Sequence, residues 1–195
     1  MVDFGYEDVA YDVAVHPYGR ISVVGSAEDA QGEARLAVAT LTRGGGPDDL
    51  AGWSLSPAGD DYVYGLDIVD DGGIVLGVNL FSGDFDPHVV KLTPSGAFDT
   101  SFGGRDGWAS NVADGYQMVD IDIRSDGRIL GVVRGDQIAS FLLSRRGVPA
   151  EGYGMSGLAF TSTPMIAAAM YVDAQDRPVI TGLQLGEPHV IRLQS

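Results

Sequence analysis

The sequence of 195 residues contains no cysteine, which excludes disulfides and thiol chemistry and suits an extracellular or redox-variable setting. It also lacks any run near the roughly 18 apolar residues that a membrane-spanning helix needs. The first eight residues are acidic and have no apolar core, so we expect no signal peptide. We therefore expect either a cytoplasmic protein or an extracellular or cell-surface protein whose signal has been removed.

Positive charge is scarce. The chain has 12 basic and 27 acidic residues, a net charge of −15, and Lys91 is its only lysine. Such a chain repels phosphate backbones and anionic lipid, so we expect neither nucleic acid nor a membrane as its partner. Cationic partners and divalent metals are compatible with this charge, although a well-solvated acidic surface is the simpler interpretation.

Helical periodicity is also missing from most of the chain. The one competing segment, 163–170, contains Pro164 and lies where the repeat described below places a strand. Glycine accounts for 28 residues, proline for 9 and hydrophobic residues for 45%. Many short strands joined by tight turns have this composition, so we predict an all-β fold.

What the sequence does contain is a repeat of about 51 residues. A leucine ends a short apolar strand four times, at spacings of 51, 51 and 50, in Leu41, Leu92, Leu143 and Leu193. A tight turn that feeds another strand recurs at residues 20, 73, 128 and 177. A third landmark recurs at Trp53, Trp108 and Leu158. We place the units at 8–57, 58–112, 113–162 and 163–195, and each must bury its apolar face against a neighbour.

The second unit contains the clearest signature, Lys91-Leu92-Thr93-Pro94-Ser95-Gly96-Ala97-Phe98-Asp99-Thr100-Ser101-Phe102-Gly103. Here the chain resembles the delta-60 repeat family, whose units are thought to form β-propeller blades. Unit three keeps part of the signature in Leu143, Gly147, Tyr153 and Gly154. The resemblance implies a propeller and brings no catalytic motif with it.

Each unit is predicted to form four strands, the first two joined as a hairpin through the glycine turn. A four-stranded unit of this length is the size of one propeller blade. Unit four ends before its fourth strand, and residues 1–7 match that strand in register. We expect this segment to complete the last blade. Closure within one chain gives a four-bladed ring, closure between two chains gives an eight-bladed homodimer, and an arc of a longer protein is the third alternative.

Two histidines occupy one position of the repeat. His88 and His189 each lie four residues before the repeated leucine and follow an acid and a proline. A functional interpretation makes each a His–carboxylate site for acid–base or metal chemistry. The third strand of a blade lies away from the axis, so we favour a structural role inherited by duplication. His16, followed by a proline in a turn, is also expected to be structural.

Carboxylates recur on the predicted innermost strands. Asp67 and Asp122 share one register, and Asp120 lies at the preceding position, as does Asp12. Carboxylates at a channel mouth could hold Ca²⁺, which needs about six to eight oxygens, and we take Asp67, Asp120 and Asp122 as candidate ligands. Solvated carboxylates in a water-filled channel are the simpler interpretation.

Aromatic residues offer another route to binding. Tyr64, Tyr116 and Tyr171 fall on or just before first strands, where rings at a propeller face could bind sugars or peptides. Inter-blade packing is the simpler interpretation. The G-x-G-x-x-G pattern of residues 152–157 is the unit-three copy of a turn, so it predicts no dinucleotide cofactor.

No nucleophile, base and orienting group come together in the predicted repeat. We therefore expect a non-catalytic binding or assembly module for a protein, peptide or glycan. The alternative is a small propeller enzyme, a hydrolase or lyase, that uses His88 or His189 with the channel carboxylates and depends on a metal in one variant.

Overall fold

The computed structural model describes residues 7–28, 30, 32, 34–53, 62–81, 85–110 and 112–193. These residues form fifteen β-strands and no helix. Nothing in the described ranges is therefore a helix long and apolar enough to cross a bilayer. The strands are β1 (Asp8–Val15), β2 (Ile21–Glu28), β3 (Ala34–Leu41), β4 (Pro47–Trp53), β5 (Tyr62–Ile68), β6 (Ile74–Phe81), β7 (Phe85–Leu92), β8 (Trp108–Ala109), β9 (Gln117–Ile123), β10 (Ile129–Arg134), β11 (Ile138–Leu143), β12 (Leu158–Thr161), β13 (Ile166–Val172), β14 (Pro178–Gln184) and β15 (Glu187–Arg192).

The strands form four antiparallel sheets, each built from strands in chain order. Sheet 1 contains β1–β4, sheet 2 contains β5–β8, sheet 3 contains β9–β12 and sheet 4 contains β13–β15. The predicted strand at 163–170 is confirmed by β13. Sheet 4 has three strands among the described residues, and residues 1–6 of the segment predicted to complete it lie outside them.

The hairpin between the first two strands of each sheet turns on a left-handed residue. Gly19, Gly72 and Gly127 have φ between 75° and 85° in sheets 1 to 3. Asp176 takes this place in sheet 4 with φ of 60°, a conformation that aspartate tolerates better than most residues. The sequence landmark and the backbone requirement therefore coincide in all four sheets.

The first strands of successive sheets lie side by side, β1 against β5, β5 against β9 and β9 against β13. Each of these inner strands has a β-bulge at the same place in the repeat, at Tyr11, Tyr64, Val119 and Ala168. A bulge increases the local twist of a strand. The two strand positions that carry the aspartates lie one and three residues after it.

Three apolar cores fill the spaces between successive sheets. The core between sheets 1 and 2 contains Val24 and Leu76, the next contains Val75 and Phe141, and the last contains Leu130 and Ile180. Sheets that pack face to face in series are the arrangement of a propeller, not of a two-layer sandwich. The predicted all-β, propeller-like fold is therefore confirmed. The described residues do not form a closed ring, because the outer faces of sheets 1 and 4 carry exposed apolar side chains.

Candidate functional site

The inner-strand aspartates connect each sheet to the next. Each carboxylate accepts the amide of its own following residue, at 2.7–2.9 Å, and an amide from the inner strand of the next sheet, at 2.5–2.9 Å. The bonds between sheets run from the amides of Leu66, Ile123, Met170 and Val172 to Asp12, Asp67, Asp120 and Asp122, respectively. We call these four bonds the carboxylate links.

The links satisfy donors that the sheets themselves leave unpaired. An inner strand is the edge of its sheet, and the amides on its free side have no strand partner. Leu66 and Ile123 present such amides, which a carboxylate of the preceding sheet accepts. A charge-assisted bond of this type is stronger than one between neutral groups, so the links stabilise the stack of sheets.

Two of the linking carboxylates have a raised pKa. Burial, then the proximity of Asp12 and Asp67, raises the pKa of Asp120 to about 6 against the pull of two backbone amides. Burial and a hydrogen bond with Asp67 raise the pKa of Asp122 to about 7. The amide of Ile123 donates to both Asp67 and Asp122, which brings these two carboxyl groups together. Two carboxyl groups that lie this close together, on one donor amide, favour a state in which they share one proton.

The arrangement leaves the Ca²⁺ site a prediction. The structure brings Asp67 and Asp122 together, but the oxygens of both, and those of Asp120, already accept backbone amides. In the part of the chain that is described, no three His, Asp or Glu side chains are arranged to hold a metal ion.

His88 is buried on β7. It is 6% exposed and lies beside Val78, the residue opposite it in β6. Its ring makes a T-shaped contact with the Trp108 ring, with 5.7 Å between centroids. Its Nε2 is 3.0 Å from Oδ2 of Asp86, at an angle that does not make a hydrogen bond. The predicted pairing with an acid is therefore present, but on a packed face and not in an open pocket.

His189 occupies the equivalent position on β15, opposite Gly182, and is half-buried on the face turned toward sheet 3. The two histidines thus lie on different sheets and face different neighbours, so they do not form one site. His16 lies in the first hairpin turn, where its Nε2 is 2.8 Å from Oγ of Ser22. Burial, then the charge of Arg20, lowers the pKa of His16, which keeps this ring neutral.

The three candidate tyrosines have different surroundings. The Tyr64 hydroxyl accepts a bond of 2.8 Å from the side chain of Gln117. Tyr116 precedes β9 and contacts Phe160, with ring centroids 6.2 Å apart. Tyr171 is exposed on the outer face of sheet 4. Among the described contacts, none joins the three into a single aromatic face.

An open cleft of about 610 Å³ lies between the outer strands of sheets 2 and 3. We call it the rim cleft. Apolar residues at Ala113, Val148, Pro149 and Leu158 line much of it, and Ser110, Asp106, Asp114 and Ser156 add polar groups. This volume is within the range of roughly 300–1,000 Å³ that ligand sites occupy.

The turns that form the rim cleft hold two strained residues. Arg105 has φ of 72° and Ser156 has φ of 54°, both in the left-handed region that side chains other than glycine seldom adopt. Non-glycine residues persist there when the surrounding structure enforces the conformation, and such sites are enriched at binding clefts. Asp106 also accepts the amide of Trp108 at 3.0 Å, which fixes one wall of the cleft.

Sequence reasoning missed both the rim cleft and the carboxylate links. The links left a signal, because aspartates recur on strands whose free edge faces the axis. The cleft left none, because it depends on how the long turns of sheets 2 and 3 pack against each other.

No protein-family model matches the sequence, and no curated protein matches it. Solved structures of similar fold were found. One is a protein of unknown function from Bacteroides caccae, 12% identical, with a TM-score of 0.55. The match covers 100% of this chain and 63% of the Bacteroides chain. Another is a glucose dehydrogenase, 9% identical, with a TM-score of 0.51. The match covers 97% of this chain and 82% of the dehydrogenase chain.

This chain therefore spans less than two thirds of the Bacteroides protein. At such low identities the likeness shows the fold alone. That fold is the β-propeller, the architecture of the glucose dehydrogenase.

Proposed function

We propose that this protein is a non-catalytic binding module and that the rim cleft is its ligand site. The observation that carries the proposal is the cleft itself, an open space of about 610 Å³ with an apolar lining and polar groups in its walls. The carboxylates of the inner strands also support the non-catalytic part of the proposal. Because they accept backbone amides, they are structural groups with little freedom for chemistry.

The composition of the cleft favours a peptide segment that carries a positive charge. Asp106 and Asp114 are exposed carboxylates in its lining, on a chain with a net charge of −15. Val148 and Leu158 offer apolar contact.

We also propose membership of the delta-60 repeat family. Equivalent turns, bulges and inner-strand positions recur in four successive sheets, as expected of a repeat of that kind. The signature at 91–103 belongs to the turn after β7, where Asp99 accepts the amide and the hydroxyl of Ser101 and pairs with Lys91 at 2.9 Å. The signature is therefore a structural turn in this chain.

Titration calorimetry with three short peptide pools, one basic, one neutral and one acidic, tests the binding site. We expect binding of the basic pool alone, weakened at least tenfold by the double variant Asp106→Asn/Asp114→Asn and abolished by Ser110→Trp, which fills the cleft. Asp136→Asn removes an exposed carboxylate from a turn outside the cleft and is the matched control. Equal binding by the cleft variants, or binding of neutral oligosaccharides in place of peptides, would contradict the proposal.

One observation favours a second candidate, a small propeller enzyme. His88 Nε2 and Asp86 Oδ2 are 3.0 Å apart without forming a hydrogen bond, and a histidine and a carboxylate at this separation are the groups that general acid–base catalysis uses. Assays for hydrolase activity, lactone hydrolysis among them, and for lyase activity test this alternative. Turnover that His88→Gln abolishes and that His189→Gln leaves intact would favour the enzyme, whereas the binding proposal predicts no turnover by the unmodified protein.

A further inference from the structure

The face of sheet 1 that is turned away from sheet 2 is apolar and uncovered. Val13 is 57% exposed on this face, and the register of β1 and β2 places Val15 and Val23 beside it. The repeat gives the equivalents of Val13 in the other sheets as Leu66, Ile121 and Met170, each opposite the third residue of the next strand. All three are at most 7% exposed, because the preceding sheet covers them. We call this surface the first face.

Sheet 4, at the opposite end of the stack, also has an uncovered face. This face is turned away from sheet 3, in the direction in which a following sheet would lie. Val190 is 63% exposed on β15, whereas its equivalents Val38 and Val89 are almost fully buried by the following sheet. The strand register places the exposed side chains of sheet 4 on one side, turned away from sheet 3: Ile166, Tyr171, Leu183 and Val190. We call this surface the last face.

The first face and the last face correspond to the two surfaces that pack against each other at the three boundaries between successive sheets. At every internal boundary, a surface of the last-face type packs on a surface of the first-face type. We propose that a second copy of this chain covers both, its last face on the first face of its partner and its first face on the partner's last face. A two-fold pair of this kind covers all four end faces and closes a ring of eight sheets.

The closing contact differs from the internal ones in one respect. The carboxylate positions of the inner strand are Ala169 and Tyr171 in sheet 4, where sheet 3 has Asp120 and Asp122. No carboxylate link is available there. The Tyr171 ring takes the place of a linking carboxylate, so the contact between copies is made of apolar packing.

The repeat also predicts which residues meet across the closing contact. Asp67 accepts the amide of Ile123, and Asp122 accepts that of Val172. The equivalents of these partners at the closing contact are Tyr171 of one copy and Val15 of the other. Because the chain has no cysteine, the variant Val15→Cys/Tyr171→Cys contains the only two thiols.

Mild oxidation of this double variant tests the proposal. We expect a covalent dimer on a non-reducing gel and monomer after reduction. Each single-cysteine variant, Val15→Cys or Tyr171→Cys, should stay monomeric on the gel, because the pairing joins unlike faces. A disulfide formed within one chain would overturn the proposal by showing a four-bladed ring, and a covalent dimer from either single variant would overturn it by showing like faces in contact.

Light scattering of the chromatographed protein provides an independent measurement. We expect twice the chain mass of 20.5 kDa, reduced to the monomer mass by Val13→Arg or by Val190→Arg. Both side chains are exposed in the single chain, so the variants should still fold and unfold cooperatively, at a lower temperature than the unmodified dimer. The control Met155→Arg should stay dimeric and melt like the unmodified protein. A mixture of the two arginine variants should form a dimer again. The unmodified last face of Val13→Arg can pack on the unmodified first face of Val190→Arg. A monomeric unmodified protein, or an open polymer, would overturn the proposal.

Discussion

Each linking aspartate connects two backbones at once. The carboxylate of Asp67 accepts the amide of Ile68 in its own strand at 2.7 Å and the amide of Ile123 in the next sheet at 2.8 Å. Neither amide has a strand partner, and both are away from bulk water on a half-buried strand. A single side chain therefore satisfies donors on both sides of a sheet boundary.

Replacing Asp67 by alanine should lower the free energy of unfolding by about 2 kcal/mol, since a hydrogen bond to a charged group is worth about 1.5–3 kcal/mol. Asp67→Asn keeps an acceptor oxygen and should lose about half as much. Urea denaturation measures both, with the exposed Asp136→Ala as control. A midpoint for Asp67→Ala that matches the control would contradict the structural role of the carboxylate.

The raised pKa values of Asp120 and Asp122, about 6 and about 7, make stability depend on pH. The folded state holds protons that the unfolded state, with carboxyl groups near 3.8, has already released. This contribution is fully present below the unfolded pKa and is lost as pH rises through 6 and 7. Urea midpoints should therefore fall between pH 5 and pH 8.

Asp122→Asn should flatten that fall, because an amide needs no proton beside Asp67. The opposite slope applies at the acid end. The hydrogen bond with Ser101, ahead of that with Lys91, lowers the pKa of Asp99 to about 2, so its contribution is lost as pH falls toward that value. A stability that rises steadily from pH 5 to pH 8 would contradict the assignment of the buried protons.

At the scale of the strand, the inner strands approach so closely that one of the carboxylate positions must be glycine. Gly65 occupies in β5 the position of Asp12 in β1 and Asp120 in β9. A Cβ at Gly65 would lie 2.6 Å from Oδ1 of Asp120 and 2.9 Å from the amide nitrogen of Ile121. The space of the missing side chain is thus used by the carboxylate of the next sheet.

Gly65→Ala should lower the melting temperature and cost about 1–3 kcal/mol, the usual penalty for forcing extra volume into a packed site. Gly44→Ala is the matched control, because its nearest neighbour is the Thr42 hydroxyl at 3.9 Å and its φ is not left-handed. Differential scanning calorimetry measures the two. Equal melting temperatures would show that β5 and β9 are farther apart than described.

The repeat predicted the strands and their hairpins because both follow from local chemistry. Turn residues such as Gly72 and alternating apolar positions on β5 act within one unit. The same period correctly placed His88 and His189 at one position. It could not show that Asp67 binds an amide, because that bond depends on the distance between two sheets. The rim cleft depends on the packing of long turns, which no periodicity encodes.

At the scale of the molecule, the protein is a stack of four like sheets whose contacts repeat. Three cores and four carboxylate links join the sheets in series. Stability in such an array is approximately a sum of unit and neighbour contributions. A further sheet that packs on the uncovered faces at the two ends would therefore add the most to the stability of the stack.

Hydrogen exchange of single amides, followed by NMR, tests the central claim that carboxylates join the sheets through their free inner edges. The account predicts that the amides of Leu66, Ile123, Met170 and Val172 exchange slowly, as slowly as those paired within the sheets. It also predicts that Ile123 exchanges faster in Asp67→Ala, where only its bond to Asp122 of the same strand remains. Rapid exchange of these four amides in the unmodified protein would contradict it, because they would then be the solvated edge of isolated sheets.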